Sequence, residues 1–244
     1  MSAQAQARRR EPLSRDRVLH AAVELADEVG IAGVSMRRLA QRLGVVAMAL
    51  YKHVADKDEL VDGMVDVVIG EFTPPDPALG WKNSVRQQVL SARRAVLRHP
   101  WARQAIESRT RRTPAVLAYM DSLAGKFIAG GFSADLTHHV MHALGNRIWG
   151  FSPEMFDESQ SEPDSPADSQ MQPASAAEFA QRYPHIVQIA VAATQHNLAG
   201  GGQGCDEQFE FEFGLDLLLD GAERLHHSGW SSADHSQGPS SPIA

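Results

Sequence analysis

A short run near the N-terminus carries side chains that suit contact with a nucleic acid. Its members are small apolar, aromatic and basic residues: Ala47, Met48, Tyr51 and Lys52. If Leu50 and Val54 face the core of the protein, helical spacing turns these four side chains outward. On an exposed helix such groups make methyl contacts with thymine, hydrogen bonds to base edges and contacts with phosphate. The run therefore predicts a helix that enters the major groove of DNA.

The preceding residues predict the element that positions this helix. Ser35 can cap a helix on which Leu39, Ala40 and Leu43 form one buried stripe. Gly44 adopts a positive φ at little cost, so it can end that helix and allow a sharp turn into the next one. Two helices joined by a short turn that contains glycine form a DNA-reading helix-turn-helix. The same pattern also occurs in ordinary helix packing, which is the alternative.

Three segments resemble the N-terminal domain of the TetR family of transcriptional repressors. They are residues 35–40 (SMRRLA), 43–45 (LGV) and 50–60 (LYKHVADKDEL). The family usually has Ser, Thr or Pro where the recognition helix begins, whereas this chain has VAMA at residues 46–49, and this departure affects which base contacts form. The resemblance implies DNA contacts from Ser35, Arg37, Ala47, Met48, Tyr51, Lys52, His53 and Lys57.

The flanking residues predict one DNA-binding domain over residues 1–72. Ser14 can cap its first helix, and Asp56 with Glu59 has the spacing of a capping box that starts the helix after the reading unit. In the family that helix links the DNA-binding domain to the remainder of the chain. The prolines of residues 73–77 end it and mark the domain boundary.

Charge is distributed unevenly along the chain. The net charge is −7, yet it is +4 over residues 1–57, +7 over residues 72–150 and −13 over residues 151–244. Exposed charges more than about 10 Å apart are largely screened at 0.1 M salt, so the local charge decides contact with phosphate. Residues 1–12 include three consecutive arginines and are interpreted as a mobile basic arm that touches DNA, or alternatively as a solvated tail without a role.

Residues 73–228 predict a second helical domain with a ligand pocket. On its third helix, the residues expected on the inner face are Leu117, Met120, Ala124, Phe127 and Ile128. Aromatic and Met residues are core residues by default, but between helices they also form ligand pockets when a few polar groups join them. The predicted pocket, suited to a flat or hydrophobic molecule, consists of Trp101, Arg103, Met120, Phe127, His138, His142, Asn146 and Trp149.

The last predicted helix, from about Asp206 to His226, carries two apolar stripes. The first contains Phe211, Leu215, Leu218, Ala222 and Leu225. The second contains Phe209, Phe213 and Leu217. One stripe satisfies the core of the domain, so the second needs a partner. Residues 211–219 also resemble the family's final helix, which pairs with its neighbour across a two-fold axis, and this implies a homodimer with the second stripe in the interface.

Other functions find little support in the sequence. His138 and His142, like His139 and His142, are about one turn apart, but paired imidazoles are more often surface or core residues than ligands, so neither a metal nor a cofactor is predicted. No nucleophile-elbow, Walker or dinucleotide-binding motif occurs. The single cysteine, Cys205, excludes an internal disulfide framework, and no apolar run of membrane-spanning length is present. We therefore expect a cytoplasmic protein without a membrane partner.

These patterns together predict an all-α protein with an N-terminal three-helix helix-turn-helix DNA-binding domain and a C-terminal helical bundle for ligand binding and dimerisation. Residues 229–244 are expected to be a disordered tail. The resemblance implies a homodimeric repressor that a small-molecule ligand releases from a palindromic operator. An all-helical binding protein or enzyme, whose N-terminal helices only pack, is the alternative. An activator or a regulator without a ligand also stays open.

Overall fold

The computed structural model describes residues 12–109, 111–149, 173–189, 191–192 and 207–234. Regular structure in these ranges is helical, which confirms the predicted all-α class. The helices are α1 (Arg15–Gly33), α2 (Met36–Leu43), α3 (Ala47–Leu50), α4 (Lys57–Gly70), α5 (Trp81–Arg98), α6 (Trp101–Ser108), α7 (Pro114–Ala129), α8 (Ala134–Trp149), α9 (Pro173–Arg182), α10 (residues 184–189), α11 (Glu207–His227) and a 3₁₀ turn at Ser232–Asp234. By contacts, the described residues up to 141 and from 225 onward form one compact unit, and the described residues between 142 and 224 form another.

The predicted caps form in the first unit. Ser14 Oγ accepts from the Arg17 amide at 3.2 Å, and Ser35 Oγ accepts from the Arg38 amide at 3.3 Å. Gly44 ends α2 in the left-handed region with φ 67°. These bonds satisfy amides that a helix start leaves without partners, so they fix where α1 and α2 begin.

Two acidic side chains accept hydrogen bonds from backbone amides at the start of α4. Asp56 Oδ1 accepts from the Glu59 amide at 2.8 Å, and Glu59 Oε2 accepts from the amide of Ala55 at 2.6 Å. The reciprocal bond therefore reaches one residue further back than an ideal capping box. It holds the first turn of α4 in a single orientation.

Helix α4 is the central element of the first unit, since α1, α5, α6 and α7 all pack on it. Its residues Leu60, Met64 and Val68 have no solvent exposure. Gly63 lets α1 approach closely, because a Cβ at this position would lie 2.5 Å from Cδ2 of Leu19. Movement of α4 is thus coupled to both the DNA-binding helices and the helices that follow.

The inner face of α7 differs from the prediction. Val116, Leu123 and Phe127 are buried, whereas Leu117 and Ile128 are 53% and 49% exposed. Both sets have helical spacing, so periodicity alone does not choose between them. Phe127 belongs to both sets, and the rings of Trp81 and Phe132 lie 5.5 and 5.3 Å from its ring. The other buried members are selected by the packing of α7 on α4 and α5.

The beginning of the expected disordered tail is ordered. The amide and hydroxyl of Ser232 each donate to the carboxylate of Asp135 at 2.7 Å, and the Trp230 ring meets the His139 ring edge-on at 5.3 Å. The two Ser232 hydrogen bonds hold the pKa of Asp135 below its usual value. The prediction of disorder is therefore wrong for residues 230–234, because an acidic residue in the first turn of α8 offers them a partner. Residues 235–244 lie outside the described residues.

The second unit contains the end of α8, with α9, α10 and most of α11. On α11, Phe211, Leu215 and Leu219 are buried. The predicted second stripe, which we call the α11 stripe, stays about half exposed, at 55% for Phe209, 54% for Phe213 and 55% for Leu217. Residues 152–175 are rich in Pro, Ser and acidic residues, and this predicts a flexible loop or disordered linker. Residues 152–172 lie outside the described residues, as do residues 1–11 of the basic arm, and residues 173–175 belong to α9.

Candidate functional site

Helix α3 presents the most exposed large apolar side chains in the described part of the chain. Val46 and Met48 are 74% and 73% exposed, and Tyr51 is 45% exposed. Leu50 and Val54 are buried beneath them, as the sequence pattern predicted. Regular helix covers only Ala47–Leu50, and turns continue it, with the amides of His53 and Val54 donating to the Leu50 carbonyl.

Three cations surround this helix with their side chains exposed: Arg37, Lys52 and Lys57. We define the recognition surface as these three residues with Val46, Met48 and Tyr51. The described residues offer no ion-pair partner to the three cations, which therefore keep their hydrogen-bond capacity for an external anion. The other predicted contacts are less accessible: Ser35 caps α2, and Ala47 and His53 are half-buried.

The neighbouring arginines of α2 have a structural role instead. Arg42 bonds Glu28 at 2.7 Å and Glu24 at 3.1 Å on α1, and Arg38 donates to the Gly33 carbonyl at 3.2 Å. The hydrogen bond from Arg42 holds the pKa of Glu28 below its usual value. These contacts fasten α2 to α1 and leave Arg37 to face outward.

A clamp between α4 and the segment after α6 fixes the start of α4. Arg109 Nε lies 2.7 Å from Asp62, and its terminal nitrogens bond the carboxylate of Asp58 at 3.0 Å and the Asp58 carbonyl at 2.9 Å. The hydrogen bonds to Asp62 and Asp58 raise the pKa of Arg109 above its ordinary value, with the Asp62 bond the larger influence. This clamp lies one turn from Lys57 of the recognition surface.

A second polar network joins α1 to the far end of α4. The ring nitrogens of His99 lie 2.8 Å from Asp27 and 3.1 Å from Glu71, and Trp101 donates to Asp27 at 2.6 Å. Burial alone would raise the pKa of Glu71, but hydrogen bonds from Arg98 and His99 more than offset this and hold it below the usual value. Both ends of α4 are therefore tied by charged groups to neighbouring helices.

A cavity of about 320 Å³ lies between α4, α5, α7 and the segment that follows α4. Three of its polar atoms are buried and have no hydrogen-bond partner among the described residues: Asp66 Oδ1, Gln88 Oε1 and Tyr119 Oη. Burial raises the pKa of Tyr119, so its hydroxyl stays protonated. Unpartnered buried polar atoms are uncommon in folded proteins, which makes this cavity a candidate ligand site.

The pocket residues predicted from sequence lie elsewhere. Trp101 is buried against Asp27, Phe127 packs in the α5–α7 core, and Arg103 pairs with Glu107 on the surface of α6. Met120 is 43% exposed on α7, and none of these side chains lines the cavity.

The remaining predicted pocket residues are on α8. His138 and His142 are exposed, and the side chains of Asn146 and Trp149 lie outside the described residues. No group of three or more His, Cys, Asp or Glu side chains placed to hold a metal occurs in the part of the chain that is described.

One cavity residue, Gln88, belongs to a set of polar residues at core positions of α5 that the sequence already shows. Ser84, Gln88 and Ser91 recur on the buried side of α5 next to Val85 and Val89. Polar residues at core positions cost free energy unless they find partners, so a repeated set marks a site or a network.

Among the described helices, none is long and apolar enough to cross a membrane.

Comparisons with known proteins agree with this architecture. The family model "Bacterial regulatory proteins, tetR family" matches residues 18–64, and the model "Tetracyclin repressor-like, C-terminal domain" matches residues 73–225. The two matches cover most of the chain. The protein belongs to the TetR family.

Individual relatives carry regulator names. An HTH-type transcriptional regulator from Saccharopolyspora erythraea is 34% identical over 59% of this chain, and the match spans 62% of that relative, less than two thirds of its length. The class G tetracycline repressor from Vibrio anguillarum is 27% identical over 87% of this chain and 95% of its own. The crystal structure of the TetR family protein ActR from Streptomyces coelicolor in complex with actinorhodin has a TM-score of 0.59 at 27% identity, over 88% of this chain and 98% of that chain.

Proposed function

We propose that the chain is a homodimeric transcriptional repressor that binds a palindromic operator and is released from it by a small molecule. The observation that carries the proposal is the recognition surface. It combines exposed apolar groups at a helix-turn-helix with three exposed cations that have no ion-pair partner among the described residues. Neither catalysis nor the transport of a ligand requires such a surface.

The residues of the recognition surface divide by role. Lys57 at the start of α4 and Tyr51 at the end of α3 contact phosphate and position the protein. Arg37 and Lys52 also reach base edges, where guanine offers the matching acceptors. Val46 and Met48 contact thymine methyl groups, because their side chains are apolar and about three-quarters exposed.

Dimerisation is assigned to the α11 stripe. Its three side chains are about half exposed, and burying the remainder would contribute roughly 2.5–5 kcal/mol per subunit. A two-fold dimer would also separate two recognition helices by about 34–36 Å or a multiple, the repeat of the major groove. The same helix pairing therefore supports both assembly and operator recognition.

Release by a small molecule follows from the position of α4. The cavity is bounded by Asp66, Ile69 and Gly70 near the end of α4, while Lys57 and the clamp residue Asp58 are at its start. A ligand that binds better to one orientation of α4 shifts the population toward that orientation. The spacing of the two recognition helices then no longer fits successive major grooves, and the operator is released. The crystal structure of ActR in complex with actinorhodin and the name of the class G tetracycline repressor support this assignment.

Binding of duplex DNA at increasing salt tests the function directly. We expect a gel shift with random duplex, a steep loss of affinity between about 50 and 200 mM salt, and tighter binding to a palindromic site recovered by selection. The control is the triple variant Arg37→Ala, Lys52→Ala, Lys57→Ala, which should lose the shift and retain its fold. If the wild-type protein gives no salt-dependent shift, the alternative of an all-helical ligand-binding protein gains support, because the cavity remains.

A further inference from the structure

Two of the three unpartnered atoms of the cavity are hydrogen-bond acceptors, and the third is the Tyr119 hydroxyl. Asp66 Oδ1 and Gln88 Oε1 can only accept hydrogen bonds, because one is a carboxylate oxygen and the other an amide oxygen. The amide nitrogen of Gln88 already donates to the Tyr119 carbonyl at 3.4 Å. Gln88 is 5% exposed, so water outside the cavity does not reach it. A buried polar group without a partner is costly. An occupant that brings hydrogen-bond donors would therefore satisfy Asp66 Oδ1 and Gln88 Oε1.

The residues that line the cavity carry negative charge and no positive charge. Asp66 is the charged residue among those that line it, and none of the lining residues is Lys, Arg or His within the described part of the chain. The nearby ammonium of Lys126 is engaged, because it donates to the Ser122 carbonyl at 3.2 Å and the Ser122 hydroxyl at 3.1 Å. An anion would therefore find no counter-charge here, whereas a cation would find Asp66.

The other walls are apolar and aromatic. Ile69, Phe72 and Pro74 line one side, and the Phe72 ring meets the Tyr119 ring edge-on at 5.2 Å. A volume of about 320 Å³ is at the small end of the usual range for ligand pockets. The space suits a compact apolar or aromatic body with one polar end.

We propose that this cavity binds a compact organic cation, an ammonium or guanidinium group on an apolar or aromatic body, and that this cation is the effector. The cationic end donates to Asp66 and to the carbonyl oxygen of Gln88, and the Tyr119 hydroxyl bonds a third polar position. The apolar body lies against Ile69 and Phe72. The inference rests on the proposed function for its regulatory part, but the binding itself does not depend on it.

Calorimetric titration of the full chain with three probes of nearly equal size tests the charge preference. The probes are 2-(2-naphthyl)ethylammonium, 2-(2-naphthyl)ethanol and 2-naphthylacetate. We expect the ammonium to bind about tenfold or more tighter than the alcohol, as for a hydrogen bond to a charged group, and the carboxylate to bind weakest. Equal binding of ammonium and carboxylate would overturn the proposal, and so would a failure of the ammonium to bind at millimolar concentration, which would mean that water fills the cavity.

Variants locate the site. Asp66→Asn keeps the shape and removes the charge, so it should abolish the preference for ammonium over alcohol, whereas Asp121→Asn, an exposed acid on α7, should retain it. Tyr119→Phe should lower the affinity for the ammonium and for the alcohol severalfold. It provides a second readout if the Asp66→Asn variant unfolds. A retained preference in Asp66→Asn would overturn the site. Because DNA binding without ligand is measured separately, a protein that shifts DNA but lacks the cation preference disproves only this inference.

Discussion

The recognition surface and the α11 stripe both expose large apolar side chains, but their surroundings differ. Val46 and Met48 are about three-quarters exposed and stand among cations, whereas the α11 stripe is about half exposed on a helix whose other faces carry Glu212, Asp216 and Asp220. An acidic helix repels a polyanion such as DNA, so its apolar stripe suits a second protein surface. Exposed apolar groups by themselves therefore do not identify a partner; the sign of the neighbouring charge does.

Substituting Leu217 by Glu should have the largest effect. A charge within the α11 stripe would be buried without a partner in a dimer, so we expect a folded monomer of 26.6 kDa. Loss of the second recognition helix should lower operator affinity about 100-fold or more. Sedimentation and fluorescence anisotropy measure the two effects.

The chain offers a matched control in Leu117→Glu. Leu117 on α7 is 53% exposed, close to the 55% of Leu217, so the same charge is added at the same exposure. This variant should remain dimeric and bind DNA normally. If both variants dissociate, or neither does, the α11 stripe is not the specific interface.

Removing Lys57 should have a smaller effect that is independent of sequence. Lys57→Ala loses one phosphate contact, so affinity for operator and random duplex should fall alike, and the slope of log affinity against log salt should shrink by about one unit. Arg103→Ala is the control, because that cation is paired with Glu107 on α6. A changed sequence preference with an unchanged salt slope would assign Lys57 to base reading.

The apolar residues of the recognition surface should give a still smaller effect that depends on sequence. Replacing a contacted thymine by uracil removes one methyl group, so wild-type affinity should fall roughly fourfold at that position. At one such position, the Met48→Ala variant should bind the duplex with thymine and the duplex with uracil with equal affinity. Should every uracil substitution be neutral for the wild-type protein, Val46 and Met48 would not read thymine.

The smallest effect concerns the polar network of Asp27, Glu71 and His99 at the far end of α4. The pKa of Glu71 is held low in the folded protein, so its stabilisation is present above its ordinary value of about 4.3 and is lost as pH falls through the folded value. The contribution is about 1 kcal/mol or less, because part of the side chain meets solvent. In urea unfolding below pH 5, Glu71→Gln should flatten the pH dependence, whereas the surface substitution Glu107→Gln should leave it as steep as in the wild type.

Local features were decided by the sequence. Side-chain caps at Ser14, Ser35 and Asp56 and a left-handed glycine at Gly44 act within four residues, so residue type and spacing were enough to place the starts and turns of the DNA-binding helices. The period of α11 also showed more apolar surface than one core needs, but the buried stripe was only partly right. Phe211, Leu215 and Ala222 are buried as predicted, whereas Leu219 is buried in place of Leu218 and Leu225 is 39% exposed.

Tertiary structure decided which of several equally periodic faces is buried and where polar side chains meet. On α7 the packing against α4 and α5 buries Val116 and Leu123 and leaves Leu117 exposed. Residues far apart in the chain form the cavity: Asp66, Gln88 and Tyr119 come from three helices, and no local pattern relates them. His99 meets Asp27 across 72 positions for the same reason. Contacts of this kind depend on how helices cross, which is set by the packing of the whole core and not by the period of any one segment.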